Sequence, residues 1–312
     1  MRGAGELVVE VLGVRFRLSV VGPDAAFDAV ARAWSRCVVP TDAPVDASSP
    51  RAVAVEGHLE LVVREPSGGD VPGGVPHYVP DGVPRAGHDR IEASDVPGLL
   101  YLLSSTLTLR GLEARAGTAW LLHACGLALP DGRVLAFAAP SGGGKTTLAA
   151  VLGREFGYVS DESVAIELDG RVTAFPKPVS TVRAGGGAKA QSGPDELGLR
   201  GLPAAGSAGL RLGGLFLLDR RDDAPEHAEI EDVPLLHGLA DLVPQTSYLS
   251  ALDRPLQRIA GLAEGVGGVR RIRYRDAGSV LPALRAAVAG TEAAGAAAAG
   301  TAVPGTAEAV AR

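Results

Sequence analysis

Nine residues, Ala139-Pro140-Ser141-Gly142-Gly143-Gly144-Lys145-Thr146-Thr147, constrain this chain more than any other segment. They follow the apolar run Val134-Leu135-Ala136-Phe137-Ala138, which predicts a buried strand. They precede Leu148-Ala149-Ala150-Val151-Leu152, which predicts a helix. Strand, glycine-rich turn, Lys-Thr and helix is the order of a nucleotide phosphate-binding loop. Glycines let successive backbone N–H groups turn inward on phosphate oxygens, because no Cβ blocks the approach. The helix start adds its own free N–H groups and partial positive charge. On this pattern Ser141, Gly142, Gly143, Gly144, Lys145, Thr146 and Thr147 hold the phosphates of ATP. Lys145 brings an ammonium to the β- and γ-phosphates, and Thr146 offers a hydroxyl to Mg²⁺.

The pattern departs from its consensus once: Ala139 stands where the leading glycine is usual. Glycine clusters alone are weak evidence in a chain with 42 glycines. Lysine is the stronger signal. Lys145, Lys177 and Lys189 are the chain's three lysines among 30 basic residues, and one of them sits where a phosphate loop needs it.

At 312 residues the chain is long enough for one large domain or two modest ones. Aromatic content is only 4%, so the core must rest on Leu, Val and Ala. A net charge of −6 argues against a nucleic-acid partner, which calls for a basic face. Cys37 and Cys125 lie far apart with no metal-type spacing, and Cys125 reads as a small core residue. No charged segment followed by an apolar h-region opens the sequence, so no signal peptide is expected. No run of 18 apolar residues predicts a membrane span, and with ATP as ligand a cytoplasmic location is expected.

The pattern divides the chain into an N-terminal α+β block over 1–115, a nucleotide-binding block over 116–288 and a low-complexity tail over 289–312, expected to be disordered. In the first block, Leu7, Val9 and Val11, then Val14, Phe16 and Leu18 after Gly13, predict a hairpin or a bent strand. A helix opens at Pro23-Asp24, residues 40–50 read as loop, a strand covers 53–63, residues 66–90 read as loop, and a helix covers about 94–113. In the second, Ala119–Leu129 predicts one strand leading into the strand before the loop. Short strands are expected near Tyr158, Val164 and Val172. Residues 184–209, rich in Gly and Ala, predict a mobile loop or lid. Beyond it come strand 210–218, helices near 235–242 and 254–264, strand 269–274 and a closing helix at 280–288.

A phosphate loop needs acid beside it, to hold Mg²⁺ and to take a proton from an acceptor. Asp161 and Glu162 end the short strand that returns from the loop helix. That strand can pair beside the loop strand and bring both carboxylates to the phosphate end. Neighbouring residues on a strand face opposite sides, so one acid serves substrate and the other the metal. His123, inside Leu121-Leu122-His123-Ala124-Cys125, reads either as a core histidine or as a group that orients a carboxylate or contacts phosphate. Lys177, between Pro176 and Pro178, reads as a surface cation or as a contact to phosphate or acceptor.

Three words together, Leu122-His123-Ala124, the loop 139–147 and Val159-Ser160-Asp161-Glu162-Ser163-Val164, resemble the HPr kinase/phosphorylase family and its looser relatives. Phe175-Pro176-Lys177-Pro178-Val179-Ser180 is similar to the segment that comes after the acidic pair in the looser relatives. The resemblance covers residues 118–182 well and the rest to about 288 in outline. It implies an α/β phosphate-loop kinase fold of the HPr kinase and phosphoenolpyruvate carboxykinase type, with ATP and Mg²⁺. It implies Asp161 as base and acid for the acceptor hydroxyl, and Glu162 as metal ligand with Thr146. Glu162 stands where the family usually has a second Asp. The family's distal acidic signature before Arg-Gly is replaced here by Gly198 ahead of Leu199-Arg200-Gly201.

The expectation is a kinase acting on a hydroxyl, foremost serine, of a protein, peptide or small molecule, with Asp161, Lys145 and His123 as catalytic residues. A non-catalytic ATP sensor or an ATPase on the same loop is the alternative. Residues 1–115 are assigned to acceptor recognition or assembly, and homo-oligomerisation is left open.

Overall fold

The computed structural model describes residues 3–40, 53–63, 89–181, 189–204 and 209–288. The expected loops at 41–50 and 66–88 and the tail from 289 lie outside them. The chain is mixed α/β with several sheets.

The first sheet begins as the expected hairpin, β1 (Gly3–Val11) against β2 (Val14–Gly22). Its two-residue turn holds Leu12 at φ 52° and Gly13 at φ 83°, the double positive φ that matches strand twist. Leu12 tolerates this left-handed conformation with its side chain fully buried. Buried and half-buried residues alternate along β2, the mark of a sheet packed on one face. Helix α1 (Asp24–Ala33) crosses to β3 (Val53–Val63), parallel to β2, and β4 (Asp89–Ala93) adds parallel to β3. β4 lies at the end of a segment expected to be loop. Helix α2 (Val96–Arg115) starts where Asp95 caps it: Gly98 N–H donates to Asp95 Oδ1 at 2.7 Å. Leu99, Leu103 and Leu107 of α2 are fully buried in the first core, which also takes in Leu121, Ala165 and Phe175 from the second block.

The expected single strand at 119–129 is two. β5 (Ala119–Leu122) and β6 (Ala124–Ala128) are separated at His123 and lie in different sheets. His123 N–H donates to the Gln245 carbonyl at 2.7 Å where the chain changes sheet. Both halves are buried on both faces, so hydrophobicity shows no break. The remaining elements are β7 (Arg133–Ala138), α3 (Lys145–Leu152), β8 (Gly157–Ser160), β9 (Val164–Glu167), β10 (Val172–Thr173), β11 (Val179–Thr181), β12 (Ala190–Ser192), β13 (Arg211–Arg220), β14 (Glu229–Val233), α4 (Leu235–Leu242), β15 (Thr246–Ser247), α5 (Pro255–Gly265), β16 (Val269–Tyr274) and a helix over 280–288.

One sheet of six strands has the order β14-β16-β13-β7-β6-β8, and β16, β13 and β7 run parallel. Along β7, Val134, Ala136 and Ala138 enter one core while Leu135 and Phe137 enter the other. Period-2 alternation with apolar cover on both faces makes the strand read as a continuous apolar run. Leu242, Ile259 and Ala263 of α4 and α5 cover one face; Leu148, Leu152, Val280 and Leu284 cover the other. A second sheet has the order β10-β9-β5-β15.

β8 does not pair with β7 as expected, because β6 lies between them. β6 is antiparallel to both, so β8 still runs in the direction of β7, and its end reaches the same edge of the sheet. The lid expectation at 184–209 is also corrected where the chain is described. β12 pairs with β11, and Leu199 is buried. Arg36 ties this segment down, donating to Asp195 Oδ1 at 2.7 Å and to the Arg200 carbonyl at 2.9 Å. Among the described residues no helix is long and apolar enough to cross a membrane.

Core packing sets a contrast within α2. Leu103→Ala empties a fully buried site and should lower unfolding free energy by about 2–5 kcal/mol. Leu109→Ala, at a position 48% exposed, should change it by no more than about 0.5 kcal/mol. Urea denaturation of the two variants measures both.

Candidate functional site

The loop between β7 and α3 is shaped by what its glycines face. Gly144 caps α3 at φ 90°, ψ 4°, and a Cβ there would stand 2.8 Å from the Tyr274 hydroxyl. A Cβ on Gly143 would stand 2.7 Å from that of Ala139 and 3.0 Å from the Pro140 carbonyl oxygen. The small side chain of Ala139 therefore faces the missing one of Gly143, and alanine suffices at the start of the motif. Gly143 N–H donates to the Pro140 carbonyl at 3.0 Å and closes the turn.

Lys145 folds over this turn. Its Nζ donates to the Ala139 carbonyl at 2.6 Å and the Pro140 carbonyl at 3.1 Å. Burial pulls its ammonium below the ordinary 10.5, while Glu162 and Asp161 hold it up. Thr146, one residue on, donates from Oγ1 to Asp161 Oδ2 at 3.2 Å.

Asp161 follows β8. Ser160 Oγ accepts from the N–H groups of Glu162 (3.3 Å) and Ser163 (3.2 Å), a local turn that puts Asp161 and Glu162 on a corner. The Asp161 side chain is buried and Tyr158 donates its hydroxyl to Oδ1 at 3.2 Å. Burial raises the Asp161 carboxyl above its ordinary range, with Glu162 adding to the rise and Lys177 opposing it. Glu162 turns the other way. Its Oε2 lies 2.5 Å from Lys177 Nζ, and its side chain remains 42% exposed. Burial raises this carboxyl too, but the Lys177 ammonium outweighs it and holds Glu162 below its ordinary value. Two adjacent acids are thus biased in opposite directions.

Lys177 is not a surface cation. It is 1% exposed and also donates to Ser104 Oγ of α2 at 3.3 Å. Asp161 and Glu162 raise its pKa against the cost of burial. The available signal was rarity: one of three lysines, locked between prolines. Tyr158, by contrast, carried no signal beyond an apolar strand.

A cavity of about 540 Å³ opens at this sheet edge. It brings together every expected site residue except Gly143, whose place is in the turn behind. Ser180, Thr181, Lys189 and Arg220 line it as well. His123 lies on its wall. Burial and the Lys145 charge lower its imidazole pKa below 6.5, against the pull of Glu162 and Asp161. This environment favours the neutral imidazole over the charged one.

The oxygen set suits Mg²⁺. Thr146 Oγ1 touches Asp161, and Glu162 brings a second carboxylate beside it. Thr146 and Glu162, the two expected metal ligands, line the same cavity, and the Thr146 hydroxyl also meets Asp161. Among the described residues no group of three or more His, Cys, Asp or Glu forms a dedicated metal cage. Mg²⁺ characteristically takes about one or two protein oxygens and completes its shell with phosphate and water.

The Lys177–Glu162 pair has a pH signature. Glu162 is lowered from 4.5, so its contribution to stability is complete above that value and lost as pH falls through the folded value. Lys177 is raised from 10.5, so its contribution is complete below that value and lost as pH rises through the folded one. Glu162→Gln should therefore be less stable than wild type across neutral pH, and the gap should close on acidification below pH 4.5. Paired thermal-unfolding titrations check this; a gap that persists to low pH contradicts the pairing. Compared with known proteins, the chain matches no family model and no curated protein.

Proposed function

We propose that the chain is an ATP-dependent phosphotransferase that moves the γ-phosphoryl group to a hydroxyl of a protein, peptide or small molecule, serine foremost. We further propose a phosphate-loop kinase fold of the HPr kinase and phosphoenolpyruvate carboxykinase type, on the resemblance of residues 118–182. One observation carries the reading. The Thr146 hydroxyl meets the Asp161 carboxylate at 3.2 Å beside Lys145, which folds over the glycine turn. The cavity of about 540 Å³ is of a size for a bound small molecule.

The phosphates of ATP enter over residues 141–147. Lys145 exchanges the Ala139 and Pro140 carbonyls for phosphate oxygens, a better partner for an ammonium than a neutral dipole. Thr146 and Glu162 would hold Mg²⁺, which would neutralise charge on the phosphate tail. The acceptor hydroxyl approaches Asp161, which takes its proton as the acceptor oxygen bonds to the γ-phosphorus. The bond from that phosphorus to the β,γ-bridging oxygen breaks, and ADP departs with the electron pair. A carboxyl whose pKa is raised is better suited to receive that proton than an ordinary one. Glu162, held ionised by Lys177, keeps a fixed negative charge beside it. Neutral His123 offers a hydrogen bond to orient a carboxylate or a phosphate.

Purified protein with Mg²⁺, γ-labelled ATP and cell extract or candidate peptides tests this. Labelled acceptor should appear with wild type. Asp161→Asn should lower transfer by about 10²–10⁴-fold while still binding nucleotide. Lys145→Ala should weaken nucleotide binding itself. Transfer that survives Asp161→Asn contradicts the base assignment, and tight binding with neither transfer nor hydrolysis makes the chain a sensor instead.

A further inference from the structure

Asp161 reaches the loop from one flank of β7, since β6 and β8 lie on that side of the sheet. The other flank is formed by β13, parallel to β7, which continues past Ala138 to Arg220. Arg220 lines the same cavity as Lys145, Thr146 and Asp161. Its Cδ lies 3.7 Å from where a Cβ of Gly144 would stand, so the side chain runs along the phosphate turn. Its Nε donates to the Arg275 carbonyl at 3.4 Å, which steadies the stem.

The neighbouring arginines are committed elsewhere. Arg221 pairs with Asp219 at 2.8 Å, Arg273 with Asp219 and Glu231 at 3.6 Å each, and Arg271 with Asp241 at 3.0 Å. Among the described residues Arg220 has no carboxylate within ion-pair distance, although it stands in the midst of these acids. An exposed guanidinium without an acid, laid against a glycine turn with Nε turned to the Arg275 carbonyl, has the four donors of its two Nη atoms available to an anion. The cavity also needs the charge. Asp161 and Glu162 are already there, Lys177 is spent on Glu162, and a triphosphate adds more negative charge than Lys145 and Lys189 alone offset.

We propose that Arg220 is a catalytic residue of this site, engaging the γ-phosphoryl group of ATP from the flank opposite Asp161. This rests on the nucleotide-binding reading above. The guanidinium neutralises charge on the equatorial oxygens as the group passes to the acceptor, the part an arginine supplied in cis plays in phosphoryl transfer. The γ-group, present in ATP and absent in ADP, is what Arg220 distinguishes.

Calorimetric titration of the full chain with Mg²⁺ and either ADP or a non-hydrolysable ATP analogue carries the test and needs no acceptor. Arg220→Ala should weaken the ATP analogue by about tenfold or more, the worth of a hydrogen bond between charged groups. ADP affinity should stay within about twofold, and Arg220→Lys should recover part of the loss by charge alone. Unchanged affinity for both nucleotides, or an equal loss for both, overturns the assignment while leaving nucleotide binding by the loop intact. A wild-type protein that binds neither nucleotide overturns the nucleotide-binding reading, and the role of Arg220 with it.

Discussion

The turn from β7 into α3 depends on side chains that are not there. Gly144 leaves room for the Tyr274 hydroxyl, and Gly143 leaves room for Ala139. Tyr274 ends β16, which is tied to β7 through β13, so sheet pairing fixes the wall against which the turn is pressed. Everything at the site then takes its position from this turn. Thr146, second residue of the helix that starts at Lys145, meets Asp161, and β13, parallel to β7, delivers Arg220 to the opposite flank. A backbone fixed by its neighbours in this way is the physical requirement for preorganised charge stabilisation.

The acids show how burial and pairing divide one sequence neighbourhood. Asp161 and Glu162 are adjacent, yet one carboxyl is raised and the other lowered. The difference comes from Lys177, whose ammonium sits 2.5 Å from Glu162 and whose own burial is offset by both acids. Lys177 is in turn held by Ser104 of α2, so a residue of the first block reaches the charge pair. The two blocks also share a core, and Arg115 of α2 pairs with Glu167 out of solvent. These links give residues 1–115 a physical connection to the site.

Much of this was legible in the sequence because local rules and tertiary structure agree there. The 134–152 strand–turn–helix, the hairpin at Gly13, the capped α2 and the helices of the C-terminal half come from period, caps and turn residues. The parts that were not legible depend on partners distant in sequence. The break at His123 lies inside an unbroken apolar run, and only the Gln245 carbonyl marks it. The placement of β6 between β7 and β8 likewise depends on pairing across the sheet. Residues 190–199, inside the Gly- and Ala-rich stretch 184–209, lack periodicity, but pairing with β11 and the grip of Arg36 order them. Lys177 looked exposed because lysine usually is, and two carboxylates that lie together only in the fold reverse that. Arg220 carried no local signal at all, since its isolation from acids is a property of the folded sheet.

Hydrogen–deuterium exchange of the full chain, with and without Mg²⁺ and ATP, measures the central claim at its source. The amides of residues 141–147 other than Gly143, which already donates to Pro140, should exchange more slowly with nucleotide present, as phosphate oxygens accept their hydrogen bonds. Protection there should disappear in Lys145→Ala at the same nucleotide concentration. Unchanged exchange across 141–147 at saturating ATP, or protection confined to another part of the chain, would contradict a phosphate-gripping turn.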